Sequence, residues 1–181
     1  MAGPEQIAKV IGQPHLQVID RNELEAEPET RRASALAIQD VEDTTAFAAL
    51  RPHWNELLRA SASDNPFLTW EWQHTWWMHL RESSALRLTV VRSGGELIAI
   101  APLRLATPRS WFPRLEFLGT GFAGSDYLDL IVRRGRELES ITALAQHFKA
   151  EQLSLRFTRL PPSSLAALPS KAGPHIEKIK A

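Results

Sequence analysis

Residues 85–105, ALRLTVVRSGGELIAIAPLRL, constrain the fold more than any other stretch of the chain. Apolar and β-branched side chains recur with a period of two on both sides of Ser93-Gly94-Gly95-Glu96. Two glycines supply the positive backbone angles that a tight turn between antiparallel strands demands, so the stretch reads as a β-hairpin. Pro102 lacks the N–H that a ladder uses, which predicts an edge position or a bulge in the return strand.

Other strands and helices are arranged around this hairpin. SALAIQDV, residues 34–41, alternates enough for a first strand, and RLEFLG, DYLDLIV and LSLRFTRL read as later ones. In EDTTAFAALRPHWNELLRAS, Phe47, Leu50, Trp54 and Leu57 or Leu58 recur at helical spacing, with Thr44 as N-cap and a kink or turn at Pro52. A second helix follows SDNPF, capped by Asp64 or Asn65, and runs to Leu80. A third, within RRGRELESITALAQHFKA, places Leu138, Ile141, Leu144 or Ala145, and Phe148 on its buried stripe. After PPSS comes a short helical turn, and HIEKIKA offers a final strand. The alternation predicts an α+β domain, three-layered, with a mixed, mostly antiparallel sheet flanked by helices. A dinucleotide fold would need a glycine-rich turn after its first strand, where this chain has VEDTT.

A chain of 181 residues suits one domain. Residues 34–168 hold its patterned part, residues 1–33 read as a flexible leader with short apolar runs at Val10–Ile11 and Leu16–Ile19, and residues 169–181 as a polar tail or link. Twenty-one basic residues balance 21 acidic ones, so no field holds a polyanion and nucleic acid is not an expected partner. The absence of cysteine removes disulfides, thiolate chemistry and sulfur-ligated metals. MAGPEQIAKV lacks the features of a secretory signal, and no run of about 18 apolar residues occurs, so the expectation is a cytoplasmic protein with no membrane partner.

NPFLTWEWQHTWWMHL, residues 65–80, concentrates four of the six tryptophans. On a helical wheel started at Leu68, Trp72, Trp76, His79 and Leu80 fall within about 120 degrees, with Trp77 and Trp70 at about 180 to 200. That apolar arc is wider than one sheet covers. One reading places Trp72 and Trp76 in the core and leaves Trp70 or Trp77 for a dimer or interdomain contact; a second lines a ligand groove with one or two of the indoles.

Three further features carry candidate chemistry. FLGTGFAGSDYLDLIV sets Gly119, Gly121 and Gly124 beside Ser125, Asp126 and Tyr127, as a structural turn or as a cleft wall with Asp126 as general base. Asp126 and Asp129, three apart in a strand, would point to opposite faces. Arg133, Arg134 and Arg136 precede a helix N-terminus and form either a solvated turn or an anion-binding loop. The six histidines show no metal-ligand spacing, His79 reads as a core histidine, and Ser110 and Ser125 lack a nucleophile elbow. No metal is expected and no catalytic residue can be assigned.

Taken in order, Trp54-x-x-Leu57, NPFLTWEWQHTWW, LIAIAPLRL, LEFLGTGFAGSDYLDLIV and LPPSSLAAL resemble the amino-terminal half of the GNAT acetyltransferase-like proteins linked to bacterial cellulose and exopolysaccharide synthesis, relatives of the Fem-type aminoacyltransferases. The resemblance implies a GNAT-like fold over residues 34–168, joined in the whole protein to a second GNAT-like domain or to another copy of the chain. It implies acetyl-CoA or another acyl-CoA held mainly by that second half, and a small-molecule or saccharide acceptor bound in a groove whose candidates here are Trp72, Trp76, Asp126 and Tyr127. The family's pyrophosphate loop has Arg or Gln, two spacers, Gly, one spacer, then Gly or Ala; Arg133-Arg134-Gly135-Arg136-Glu137 departs from it by a displaced glycine and a missing second one. The expectation is therefore a domain that binds no acyl-CoA alone. An N-acetyltransferase active only when paired, and a noncatalytic module of exopolysaccharide synthesis, are the two alternatives.

Overall fold

The computed structural model describes residues 35–106, 111, 113–121, 125–158, 160–167 and 176–178, all within one compact unit, Ser34–Ala181. The expected leader, residues 1–33, lies outside the described residues, as does most of the expected tail.

The hairpin forms as its pattern predicts. Strand β2 (Ala85–Ser93) pairs antiparallel with β3 (Glu96–Leu105), and Gly94 and Gly95 turn the chain with φ of 56° and 87°. Strand β1 (Leu36–Val41) adds to the free side of β2. On the other side of β3 lie β4 (Arg114–Phe117) and β5 (Ile131–Val132), both antiparallel to it; β6 (Ser154–Phe157) then runs parallel to β4, and β7 (Ile176–Lys178) parallel to β6. The result is a mixed, mostly antiparallel sheet of seven strands. Consecutive residues in its middle, Leu88 to Val91 and Leu97 to Ala101, are buried. Neighbouring residues of a strand face opposite sides, so both faces of the sheet are covered. Helix α2 (Arg51–Arg59) packs on β3 and β5, and helix α4 (Glu137–Ala150) on β1 and β2.

β4 and β5 occupy one strand position interrupted by an excursion. Phe117 pairs with Leu103, the Leu118 N–H donates to the Pro102 carbonyl at 2.9 Å, and the chain then leaves the sheet until Ile131 pairs with Ile100. This resolves Pro102, which sits in a central strand and not at an edge. Its carbonyl faces the β4 side, so its nitrogen faces that side too, where the excursion leaves the ladder open. The register shift in the hairpin falls instead between Val91 and Arg92, opposite Ile98.

The helix boundaries follow local capping. Asp43, not Thr44, caps helix α1 (Thr44–Ala49), accepting from the Ala46 N–H at 2.8 Å. Leu50 separates it from α2, in whose first turn Pro52 costs no hydrogen bond. Asn65 caps a 3₁₀ turn, Pro66–Leu68, and Thr69 (ψ 151°) caps helix α3 (Trp70–Leu80). In α4, Ser140, Ile141, Ala143, Leu144 and Phe148 are buried, whereas Leu138, expected on that stripe, is 84% exposed. Its position on the wheel lies about 120 degrees from the centre of that face. No helix among the described residues is long and apolar enough to cross a membrane.

Candidate functional site

The extended Thr69 breaks the helical phase between Leu68 and Trp70, so a wheel started at Leu68 is rotated from the real one. Helix α3 buries Trp70, Gln73, Trp76 and Trp77 and exposes Met78, His79 and Leu80. Trp70 and Trp77, the interface candidates, are therefore core residues, 9% and 4% exposed. The Trp70 indole donates to the Phe47 carbonyl at 3.3 Å and that of Trp77 to Thr44 Oγ1 at 3.2 Å, fastening α3 to α1. His79, expected inside, is exposed; the packed histidine is His74, stacked on Trp70 at 4.4 Å between centroids. Burial, and then the Arg51 charge, lower the His74 pKa, so the neutral ring is favoured there.

Trp72 is half-buried and faces the excursion. Its indole N–H donates to the hydroxyl of Ser125 at 2.9 Å, and Phe67 meets its ring edge-on at 5.3 Å. Ser125 is fully buried, and a Cβ at Gly119 (φ 89°) would stand 2.7 Å from its oxygen. Gly119 is thus required twice, by its backbone angle and by the approach of Ser125. Asn65 accepts from the Phe67 N–H and donates to the Tyr127 carbonyl at 3.2 Å, which ties the 3₁₀ turn to the excursion. Tyr127 adopts a positive φ of 57° and leaves its side chain 59% exposed, beside exposed Asp126. At the root of the excursion Thr120 accepts from Arg104 at 3.5 Å; Arg104 also pairs with Glu116 and lies over the Trp76 ring at 5.2 Å. Of the four groove candidates, Trp72 reaches the excursion through Ser125, and Asp126 and Tyr127 follow that serine as exposed residues. Trp76 is buried, 4% exposed.

Residues 126–130 do not form the expected strand, so alternation says nothing about Asp126 and Asp129. Asp129 is buried and accepts from the Leu130 and Ala166 N–H groups and the Ser164 hydroxyl through one oxygen, and from the Leu165 N–H through the other, all within 3.0 Å. It caps the 3₁₀ turn at residues 165–167 and anchors the returning end of the excursion. Sequence separation hid this role.

The arginine turn is already engaged. Arg133 pairs with Glu96 at 3.0 Å, and Arg136 pairs with Glu139. The Glu139 hydrogen bond, against a smaller opposing effect of burial, holds the Arg136 pKa above its ordinary value. Arg134 turns back on α2, its backbone N–H donating to the Ala60 carbonyl at 3.0 Å and its guanidinium to that of Arg59 at 3.4 Å. Glu137 and Glu139 occupy the first turn of α4, where an anion would sit.

One titratable cluster escaped sequence reading because β1 and α4 assemble it from distant segments. Asp40, His147 and Glu151 bring potential ligand atoms within 4.8 Å of one another, His147 Nε2 lying 2.9 Å from Asp40. Arg87 stands among them, pairing with Asp40 at 3.2 Å and with Glu42 and Glu151. Burial opposes the Arg87 charge, but the nearby carboxylates outweigh it and hold its pKa above the ordinary value. Arg87 thus already supplies the positive charge that these acids meet.

No protein-family model matches the sequence, and no curated protein matches it.

Proposed function

We propose that this chain is the acceptor-side, GNAT-like half of an acyltransferase, contributing a groove wall and interdomain surface while acyl-CoA is held by a second domain or a second copy. The observation that carries this reading is the contrast between two loops. The arginine turn, where a coenzyme pyrophosphate would bind, pairs Arg136 with Glu139, folds Arg134 back on the end of α2, and sets Glu137 and Glu139 in the first turn of α4, against an anion. At the excursion, by contrast, half-buried Trp72 of α3 reaches buried Ser125, and the next two residues, Asp126 and Tyr127, are exposed. In such chemistry an amine or hydroxyl attacks a thioester, and the acceptor wall contributes orientation.

Calorimetry of the purified chain with acetyl-CoA tests the division of labour. The expected result is flat heats at millimolar ligand, and micromolar binding would transfer coenzyme binding to this half. The dependence on a second half is tested by sedimentation and by reading the adjoining coding sequence. A monomer with no second GNAT-like stretch encoded beside it would overturn the proposal.

A further inference from the structure

A cleft opens between α2 and the end of the β2–β3 hairpin. Helix α2 supplies His53 and Glu56, one turn apart; the end of the β2–β3 hairpin supplies Arg92 and Glu96; and Arg133, just after β5, completes a cleft of about 270 Å³. That is slightly below the roughly 300–1,000 Å³ typical of sites for drug-sized ligands, and it suits a small metabolite.

The charges of this cleft are paired in number and incompletely paired in geometry. Arg92 and Arg133 balance Glu56 and Glu96. The Arg92 guanidinium donates to the Gly95 carbonyl at 3.1 Å. Arg133 meets Glu96 through Nη2 at 3.0 Å, while its Nε, on the same edge of the guanidinium, is shielded from solvent and has no acceptor among the described residues. A carboxylate normally uses both donors of that edge in parallel. Nε is unpaired in Arg87, Arg104 and Arg156 as well, but Arg133 also lines this open cleft.

We propose that the cleft binds a small zwitterion, with a free α-amino acid as its simplest form. The ligand carboxylate takes Nε and Nη2 of Arg133 side-on and displaces Glu96. Glu96 is half exposed on the hairpin and, once released, joins Glu56 in receiving the ligand ammonium. A simple anion would satisfy Arg133 but would face both glutamates, and a simple cation would face both arginines. A zwitterion leaves the net charge of the cleft unchanged and meets Arg133 with its carboxylate and the two glutamates with its ammonium, while Arg92 stays on the Gly95 carbonyl, which is the reason for preferring it. The Arg133 backbone is fixed independently of its side chain, through a bridge to Ser61 and an N–H donated to the Ile98 carbonyl at 2.9 Å, so the guanidinium can change partners without moving the strand.

Titration of the intact chain with glycine, acetate and methylammonium, followed by NMR of the arginine Nε–H resonances, tests the proposal. Glycine is expected to shift the Arg133 resonance at millimolar concentration and to bind about tenfold or more tightly than either half-ligand. Arg133→Gln and Glu56→Gln are each expected to weaken glycine binding about tenfold, with circular dichroism and melting temperature reporting that the fold is kept. Arg92→Gln, more remote from the orphaned nitrogen, provides a second variant if Arg133→Gln misfolds, and is expected to weaken binding in the same direction. Acetate binding as tightly as glycine would reduce the cleft to an anion site and overturn the proposal. So would the absence of any shift at about a hundredfold excess over the expected millimolar affinity, or unchanged glycine binding by Arg133→Gln. Acetyl-CoA titration of the same chain reads the proposed function separately from these outcomes.

Discussion

The chain departs from the sheet at two glycine-marked places beside β3, and it solves the two departures differently. At Gly94–Gly95 the turn is made within the hairpin itself: both φ angles are positive, the Arg92 guanidinium donates to the Gly95 carbonyl, and a Cβ at Gly95 would meet nothing within 4 Å. At Leu118 the chain leaves for a long excursion held by hydrogen bonds from elsewhere, namely the Trp72 indole on Ser125, the Asn65 amide on the Tyr127 carbonyl, and the Ser164 hydroxyl with the Leu165 and Ala166 N–H groups on Asp129. A short turn can be self-sufficient; a long loop has to be held.

The sharpest way to break this comparison is Asp129→Ala. It strands several buried donors at once and should destabilise the protein by roughly 3–5 kcal/mol in urea unfolding. A loss under about 1 kcal/mol would mean that the excursion is not held by its carboxylate. The two glycines sharpen the comparison next. Gly119→Ala combines a strained angle with a 2.7 Å clash against Ser125 and should cost about 2–3 kcal/mol, whereas Gly95→Ala, strained but unobstructed, should cost about 1 kcal/mol. Equal losses would remove the distinction between a turn and a held loop. Smallest is Trp72→Phe, which deletes the indole N–H donated to Ser125 and should cost about 0.5–1.5 kcal/mol. Hydrogen exchange should then quicken at Ser125 to Leu128 and stay unchanged at Val90 and Ile100 in the hairpin.

The same contrast explains what could be read from the sequence. The hairpin, the first strand and the helix of residues 137–150 were legible because their signals are local: alternation, turn glycines and helical spacing. The α3 helix was legible in existence but not in orientation, since Thr69 resets the phase and thereby moves Trp70 and Trp77 into the core. DYLDLIV looked like one strand because five of its seven residues suit β-structure. Tyr127 in a left-handed conformation and the capping of residues 165–167 by Asp129 leave only Ile131–Val132 in the ladder. Nothing local announces that Asp40 meets His147 or that Arg133 meets Glu96. These pairings are consequences of topology, as is the tolerance of Pro102 in a central strand.

Because Leu118 and Ile131 both take their places from β3, the sheet keeps no record of how many residues pass between them. The rungs on either side are set by β3, while Gly119, Ser125, Leu128 and Asp129 tie the segment between them back to the core. Variation that leaves the architecture intact is thereby confined to outward positions of that detour such as Asp126 and Tyr127, whose side chains lie exposed.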